Sequence, residues 1–199
     1  MAWRATRMVR FGPMAGRLAL AAMLCSCASL HPEPVTPYAL DVPRMRQPNA
    51  NACLAACAAC VSTYWAVTST PQSVIADLGK PPRGGYAIGD MRDWARDRGF
   101  AAYVLAGDLA ILREHLAKGR PLIAVLEKKP GRTHAVVVAG VAPDGRLLAL
   151  MDPAQGRNTV LPFSIFQQQW ARARQAILLI ASGPSQPGNN EKELGGSTR

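Results

Sequence analysis

The sequence predicts an α+β domain of about 140 residues, with helices in its first half and an antiparallel sheet in its second. Three observations carry this. Cys53–Val67 is an alanine-rich apolar run without glycine or proline, which favours a buried helix. Ile88–Arg98 repeats apolar residues at helical spacing, with Met91, Trp94 and Ala95 on one face. From Pro121 onward the chain breaks into short apolar runs separated by turn residues, as strands do. Helices first and strands afterwards indicate segregated layers rather than an alternating α/β fold.

Each element has a local reason. Thr70-Pro71 starts a second helix that runs to Leu78 and stops at Gly79. Lys80–Gly85 is a loop, and Gly99 closes the third helix. Ala101–Leu105 is a short strand. Asp108 caps a fourth helix, Leu109–Lys118, with Gly119 beyond it. Pro121–Leu126 and Thr133–Val141 are buried strands joined by a loop at Lys128–Arg132. Pro143-Asp144-Gly145 is a hairpin turn leading into a strand at Arg146–Met151. Asp152–Gly156 turns the chain into a short strand at Asn158–Leu161. Pro162–Ala171 is a helix, and Gln175–Ile180 is the last strand. There is no internal repeat.

The ends read differently. Arg4, Arg7, Arg10 and Arg17 precede the apolar run Leu18–Leu24, which is too short to span a bilayer. Leu24-Cys25-Ser26-Cys27 then resembles the lipobox of bacterial lipoproteins. That resemblance implies removal of residues 1–26 and lipidation of Cys27. A plain cleaved export signal with an incidental cysteine is the alternative. Ala28 and Ser29, with no aspartate after the cysteine, resemble the pattern sorted to the outer membrane. Residues 27–43 carry four prolines and read as a tether, leaving 44–181 as the domain. Residues 182–199 are rich in Gly, Pro, Asn and Ser and are expected to be disordered.

The chain has 23 Lys+Arg against 13 Asp+Glu. Without the four arginines of the leader, the excess falls from +10 to about +6. No basic stripe is interleaved with aromatics, so nucleic acid is not the expected partner.

Three residues have chemistry in common. Cys53 opens a predicted helix, where free N–H groups and the helix dipole favour a thiolate. His134 begins a buried strand, and Asp152 ends the next one. The turn at 143–145 brings these two within about two residues of direct opposition. A thiol, an imidazole that moves its proton and an acid that orients the imidazole suffice for nucleophilic catalysis.

The same positions resemble the bacteriocin-processing, double-glycine cysteine peptidases, family thirty-nine. Gln47–Cys57 (QPNANACLAAC) has that family's Gln, five residues and Cys. Thr133–Gly140 places a His before an apolar strand. Met151-Asp152-Pro153 supplies the Asp-Pro, and a helix ends near the aromatic Trp170. Ala52 and Leu54 depart from the Asp and Gly that usually flank the family's nucleophile. The resemblance implies a papain-like fold with Cys53 as nucleophile, His134 as general base and acid, and Asp152 as orienter. It also implies an oxyanion hole formed by the Gln47 side chain and the Cys53 N–H.

Other readings remain beside it. Cys53, Cys57 and Cys60 have the C-x3-C-x2-C spacing of a radical iron–sulfur motif, but on one helix face rather than in a loop. Structural zinc would need a fourth ligand that no residue obviously supplies. Cys57 and Cys60 fit best as small buried hydrophobes, since a disulfide within a helix is geometrically poor. Asp152 before Pro153 would also suit a simple turn.

The expectation is therefore an exported, lipid-anchored cysteine peptidase on the periplasmic side of the outer membrane. It would need no metal or other cofactor. Its partners would be an exported peptide or protein, cleaved at small residues such as Gly-Gly, and a secretion or surface-fibre assembly system. The alternatives are a catalytically silent peptide-binding lipoprotein of the same fold, and a transglutaminase or amidase using the same three groups.

Overall fold

The structure, a computed structural model, describes residues 39–183. The expected leader, the lipidation site Cys27, residues 27–38 of the tether and residues 184–199 lie outside the described residues. Five helices and six strands follow in the order α1 (Cys53–Tyr64), α2 (Pro71–Leu78), α3 (Ile88–Asp97), β1 (Ala101–Ala106), α4 (Leu109–Ala117), β2 (Leu122–Lys129), β3 (Arg132–Val141), β4 (Leu147–Asp152), β5 (Arg157–Pro162), α5 (Phe163–Arg172) and β6 (Ala176–Ala181). Among the described residues, no helix is long and apolar enough to cross a membrane.

The strands form one sheet in the order β1-β6-β2-β3-β4-β5, and all neighbours are antiparallel. The last strand inserts between β1 and β2, which no local pattern announces. Ala135–Ala139 of β3 are consecutively buried, so both faces of this strand are covered. Helix α1 packs against β3 and β2, and α5 packs against β2 and β5.

Four helices end in the same way, with a left-handed residue and paired backbone bonds from the two residues after the cap. In α3 and α4 the left-handed residue is glycine, Gly99 (φ 80°) and Gly119 (φ 67°). In α5 it is Arg174 (φ 56°), and in α1 it is Ala66 (φ 63°). Helix α1 was expected to continue to Val67 and stops at Tyr64 instead. Val67 N–H reaches Ser62 O and Ala66 N–H reaches Thr63 O, at 3.0 Å each. The strain of a left-handed alanine, on the order of 1 kcal/mol, is offset by a hydroxyl cluster. Ser62 Oγ donates to Val67 O, Ser62 and Ser69 hydroxyls are paired, and Thr63 Oγ1 bonds Ser69 O and N–H.

Three further boundaries differ from expectation. The β2–β3 connection is a tight hairpin, with Lys129 opposite Arg132 and Gly131 at φ 69°. Residues 39–43 belong to the fold rather than to a tether. Leu40 N–H donates to Ala139 O at 2.9 Å, and Val42 is fully buried. Gly183, assigned to the tail, is also buried. A Cβ there would lie 2.0 Å from Gly99 O, so the backbone passes too close for any side chain.

Candidate active site

Cys53 is the first residue of α1, so its N–H has no acceptor within the helix. His134 is the third residue of β3, opposite Leu126 of β2. Asp152 is the last residue of β4. The β3–β4 register sets Val137 against Met151, which leaves Asp152 diagonal to His134 on the same face of the sheet. His134 Nε2 lies 2.7 Å from Asp152 Oδ1. The other ring nitrogen, Nδ1, is left for Cys53, whose sulfur is hydrogen-bonded to His134. The three predicted residues are thus brought together in one chain of contacts.

Asp152 is held from several sides. Its Oδ1 accepts Ala154 N–H at 2.9 Å, and its Oδ2 accepts Gln155 Nε2 at 3.2 Å. Lys128 Nζ stands 3.9 Å from Oδ2. Burial pushes the carboxyl up, but the His134 hydrogen bond and charge, with Ala154 and Gln155, outweigh it and bring it to about 2. His134 moves the other way. Burial lowers it, and the bonds to Asp152 and Cys53 more than compensate, so it ends above its ordinary value. The Cys53 thiol is pushed up by burial and pulled down by His134 and by backbone bonds from Ala135 and Leu54. The net direction is downward. A depressed thiol beside an elevated imidazole can share its proton as a thiolate–imidazolium pair.

The other two cysteines have the opposite character. Cys57 and Cys60 are fully buried one and two turns further along α1. Burial holds Cys57 well above the ordinary range and pushes Cys60 up to about 12. All three are free thiols. Among the described residues, no group of three or more His, Cys, Asp or Glu is placed to hold a metal ion.

Gln47 reaches the same region through its backbone, whose N–H donates to Pro153 O at 2.9 Å. Its side-chain Nε2 donates to Asn49 O at 2.7 Å, and its Oε1 is buried without a hydrogen-bond partner. That bond uses one of the two hydrogens on Nε2 and leaves the other to donate to an oxyanion. The two departures from the family pattern are benign in shape. Leu54 turns into the core, only 6% exposed, with a helical backbone, so no glycine is needed there. Ala52 is completely buried. Gln155 and Lys128 escaped the sequence reading. The Asp-Pro-Ala-Gln turn signals a side chain bonded to the backbone two residues on, but nothing local marks its glutamine or a lysine on another strand.

The fold matches solved structures over nearly their whole length. A putative C39-like peptidase from Bacillus anthracis has a TM-score of 0.64 at 14% identity, covering 74% of this chain and 98% of that one. The peptidase domain of Streptococcus ComA, a bi-functional ABC transporter involved in a quorum-sensing pathway, has a TM-score of 0.59 at 20% identity, covering 69% and 96%. A double-glycine motif protease from an AMS/PCAT transporter, solved with its leader peptide, has a TM-score of 0.59 at 24% identity, covering 75% and 98%. At these identities the likeness shows the papain-like fold. No curated protein matches the chain. The sequence pattern described as the Peptidase C39 like family matches residues 39–178, and on that match, well over half its length, the chain belongs to this family.

Proposed function

We propose that this chain is an exported cysteine peptidase of the double-glycine type, anchored through lipid at Cys27 and facing the periplasm. The observation that carries the reading is the 2.7 Å contact of His134 Nε2 with Asp152 Oδ1, beside a Cys53 thiol that the same imidazole draws downward. His134 takes the thiol proton, and the Cys53 thiolate attacks the scissile carbonyl carbon. The oxyanion is received by the Cys53 N–H and by the second hydrogen of Gln47 Nε2. His134 then returns the proton to the departing amine as the C–N bond breaks, leaving a thioester that water hydrolyses. The double-glycine protease with its leader peptide supports small residues at the cleavage site.

The test is hydrolysis of synthetic peptides with Gly-Gly junctions, together with alkylation by iodoacetamide across pH. Cys53 is expected to label first. Its rate should rise with pH and level off below 9.0, the ordinary thiol value. Cys57 and Cys60 should stay unmodified in the folded protein. Cleavage should fall again at high pH, where His134 loses the proton that the leaving amine needs. A silent peptide-binding protein is the second reading, favoured by Ala52, which stands where the family usually has Asp. It would bind the peptides, cleave none and show no selective labelling.

The anchor has its own test. Cells fed a labelled fatty acid should yield a labelled protein, and Cys27→Ala should remove the label and release the protein from membranes. Label retained in that variant would refute lipidation at Cys27.

A further inference from the structure

Two hollows flank the three candidate catalytic residues. One, of about 460 Å³, is lined by Asn51, Cys53, Arg83, Gly84, Arg132 and Thr133. The other, of about 700 Å³, is lined in part by Lys128, Asp152, Gln155 and Arg157. Two cations therefore line the first hollow, Arg83 from the α2–α3 loop and Arg132 from the β2–β3 hairpin. Two more stand in the second. The one acid lining either hollow is Asp152, whose carboxylate is already taken by His134, Ala154 and Gln155.

The charges on the Cys53 side have no internal use. Among the described residues, neither Arg83 nor Arg132 has an ion pair or a side-chain hydrogen bond. Both are exposed. The nearby Glu127 lines neither hollow, and its Oε1 accepts Gly131 N–H at 2.7 Å, inside the hairpin. On the other side Lys128 faces Asp152 at 3.9 Å, and Arg157 Nε donates to the neutral Gln155 amide. Unneutralised guanidinium groups lining a concave cleft focus positive potential into it.

We propose that this cleft selects acidic polypeptide: the segment bound across Cys53 carries Asp or Glu beside the residues lying against the thiol, read by Arg83 and Arg132. The assignment of those positions to the two sides of a scissile bond rests on the peptidase reading. The binding preference does not. A polypeptide fits better than an anionic lipid surface because the cations line hollows on either side of a nucleophile, whereas a membrane meets a convex patch.

Three peptides differing only in Glu, Gln or Lys beside a Gly-Gly junction make the test, with the full-length protein. Binding is read by fluorescence anisotropy on Cys53→Ala, and cleavage is read on the wild type. Two partly exposed charge pairs together predict a Glu-over-Gln ratio of roughly tenfold in Kd and in kcat/KM at low salt. That ratio should approach unity in the Arg83→Gln/Arg132→Gln double variant, and at about 0.5 M salt, where exposed charges are screened. The Gln peptide on the same variant reports whether the fold survives. Equal handling of Glu and Gln peptides by the wild type overturns the proposal, as does a ratio that survives the double substitution. Cleavage indifferent to charge would leave the peptidase standing and this inference fallen. Arginine-dependent binding of the Glu peptide with no cleavage would do the reverse. Vesicles containing phosphatidylglycerol are the control for the lipid source. Arginine-dependent vesicle binding with no preference for the Glu peptide also overturns the proposal.

Discussion

Cys53→Ala is expected to lower kcat/KM for a Gly-Gly peptide by about 10⁵-fold, and His134→Ala nearly as much. The reason is geometric. The His134 ring acts on the Cys53 thiol, and one of its nitrogens is committed to Asp152 at 2.7 Å. Without His134 the thiol loses its proton acceptor and its largest stabilising contact, while the burial that pushes it up remains. The helix N-terminus and the backbone bonds from Ala135 and Leu54 would still favour a thiolate, but less strongly. Without Cys53 the imidazole has nothing to activate except water. The two residues act as one unit, so the double variant should be no worse than Cys53→Ala alone. Steady-state kinetics on the three variants check this. Losses that multiply in the double variant would mean the residues act independently and would sink the proposed mechanism. So would a Cys53→Ala variant retaining more than about a tenth of the wild-type rate.

The positions of Cys53, His134 and Asp152 were legible because each depends on a local signal and one hairpin. A helix start places Cys53, and the Pro143-Asp144-Gly145 turn sets the β3–β4 register that puts Asp152 diagonal to His134. Helix ends were legible where glycine marks them, at Gly99 and Gly119. They were not legible at Ala66, because its left-handed backbone is held by Ser62, Thr63 and Ser69, residues whose partnership exists only after folding. The insertion of β6 between β1 and β2 likewise leaves no periodic trace, since Ile177–Ile180 would read the same on any buried strand. Residues 39–43 looked like tether because they continue a stretch with prolines at 32, 34, 37 and 43, yet Val42 and the Leu40–Ala139 bond fasten them to the sheet. The direction of the Leu54 side chain, where the family usually has Gly, is set by packing rather than by any local signal. That side chain points inward.

Trp170→Ala is expected to produce the largest loss of stability, about 3–5 kcal/mol, without touching the chemistry. Trp170 is fully buried near the end of α5, with its ring 5.1 Å from that of Phe166. Its Nε1 donates to Ala176 O at 3.1 Å, so the indole ties α5 to the start of β6. The ring also lies against Gly107, where even a methyl group would come within 3.0 Å of Trp170 Cζ2. Removing it opens a cavity and leaves the Ala176 carbonyl without its indole donor. The positive-φ turn at Arg174 and Gln175 depends on the same corner, since Gln175 N–H bonds Trp170 O and Gly107 N–H bonds Gln175 O. For a domain of this size the loss corresponds to a fall of roughly 10–15 °C in Tm, measurable by calorimetry. Trp170→Phe keeps most of the buried ring and forfeits mainly the hydrogen bond, so its cost should be about 1–2 kcal/mol. The contact between Cys53 and His134 joins α1 to β3, and α5 has no part in it. Folded Trp170→Ala protein, held well below its Tm, should therefore alkylate Cys53 at the wild-type rate. A variant that loses selective Cys53 labelling while still folded would show that α5 positions the site as well as supporting the sheet. A Tm shift of only a few degrees would show that the corner can collapse around the missing ring.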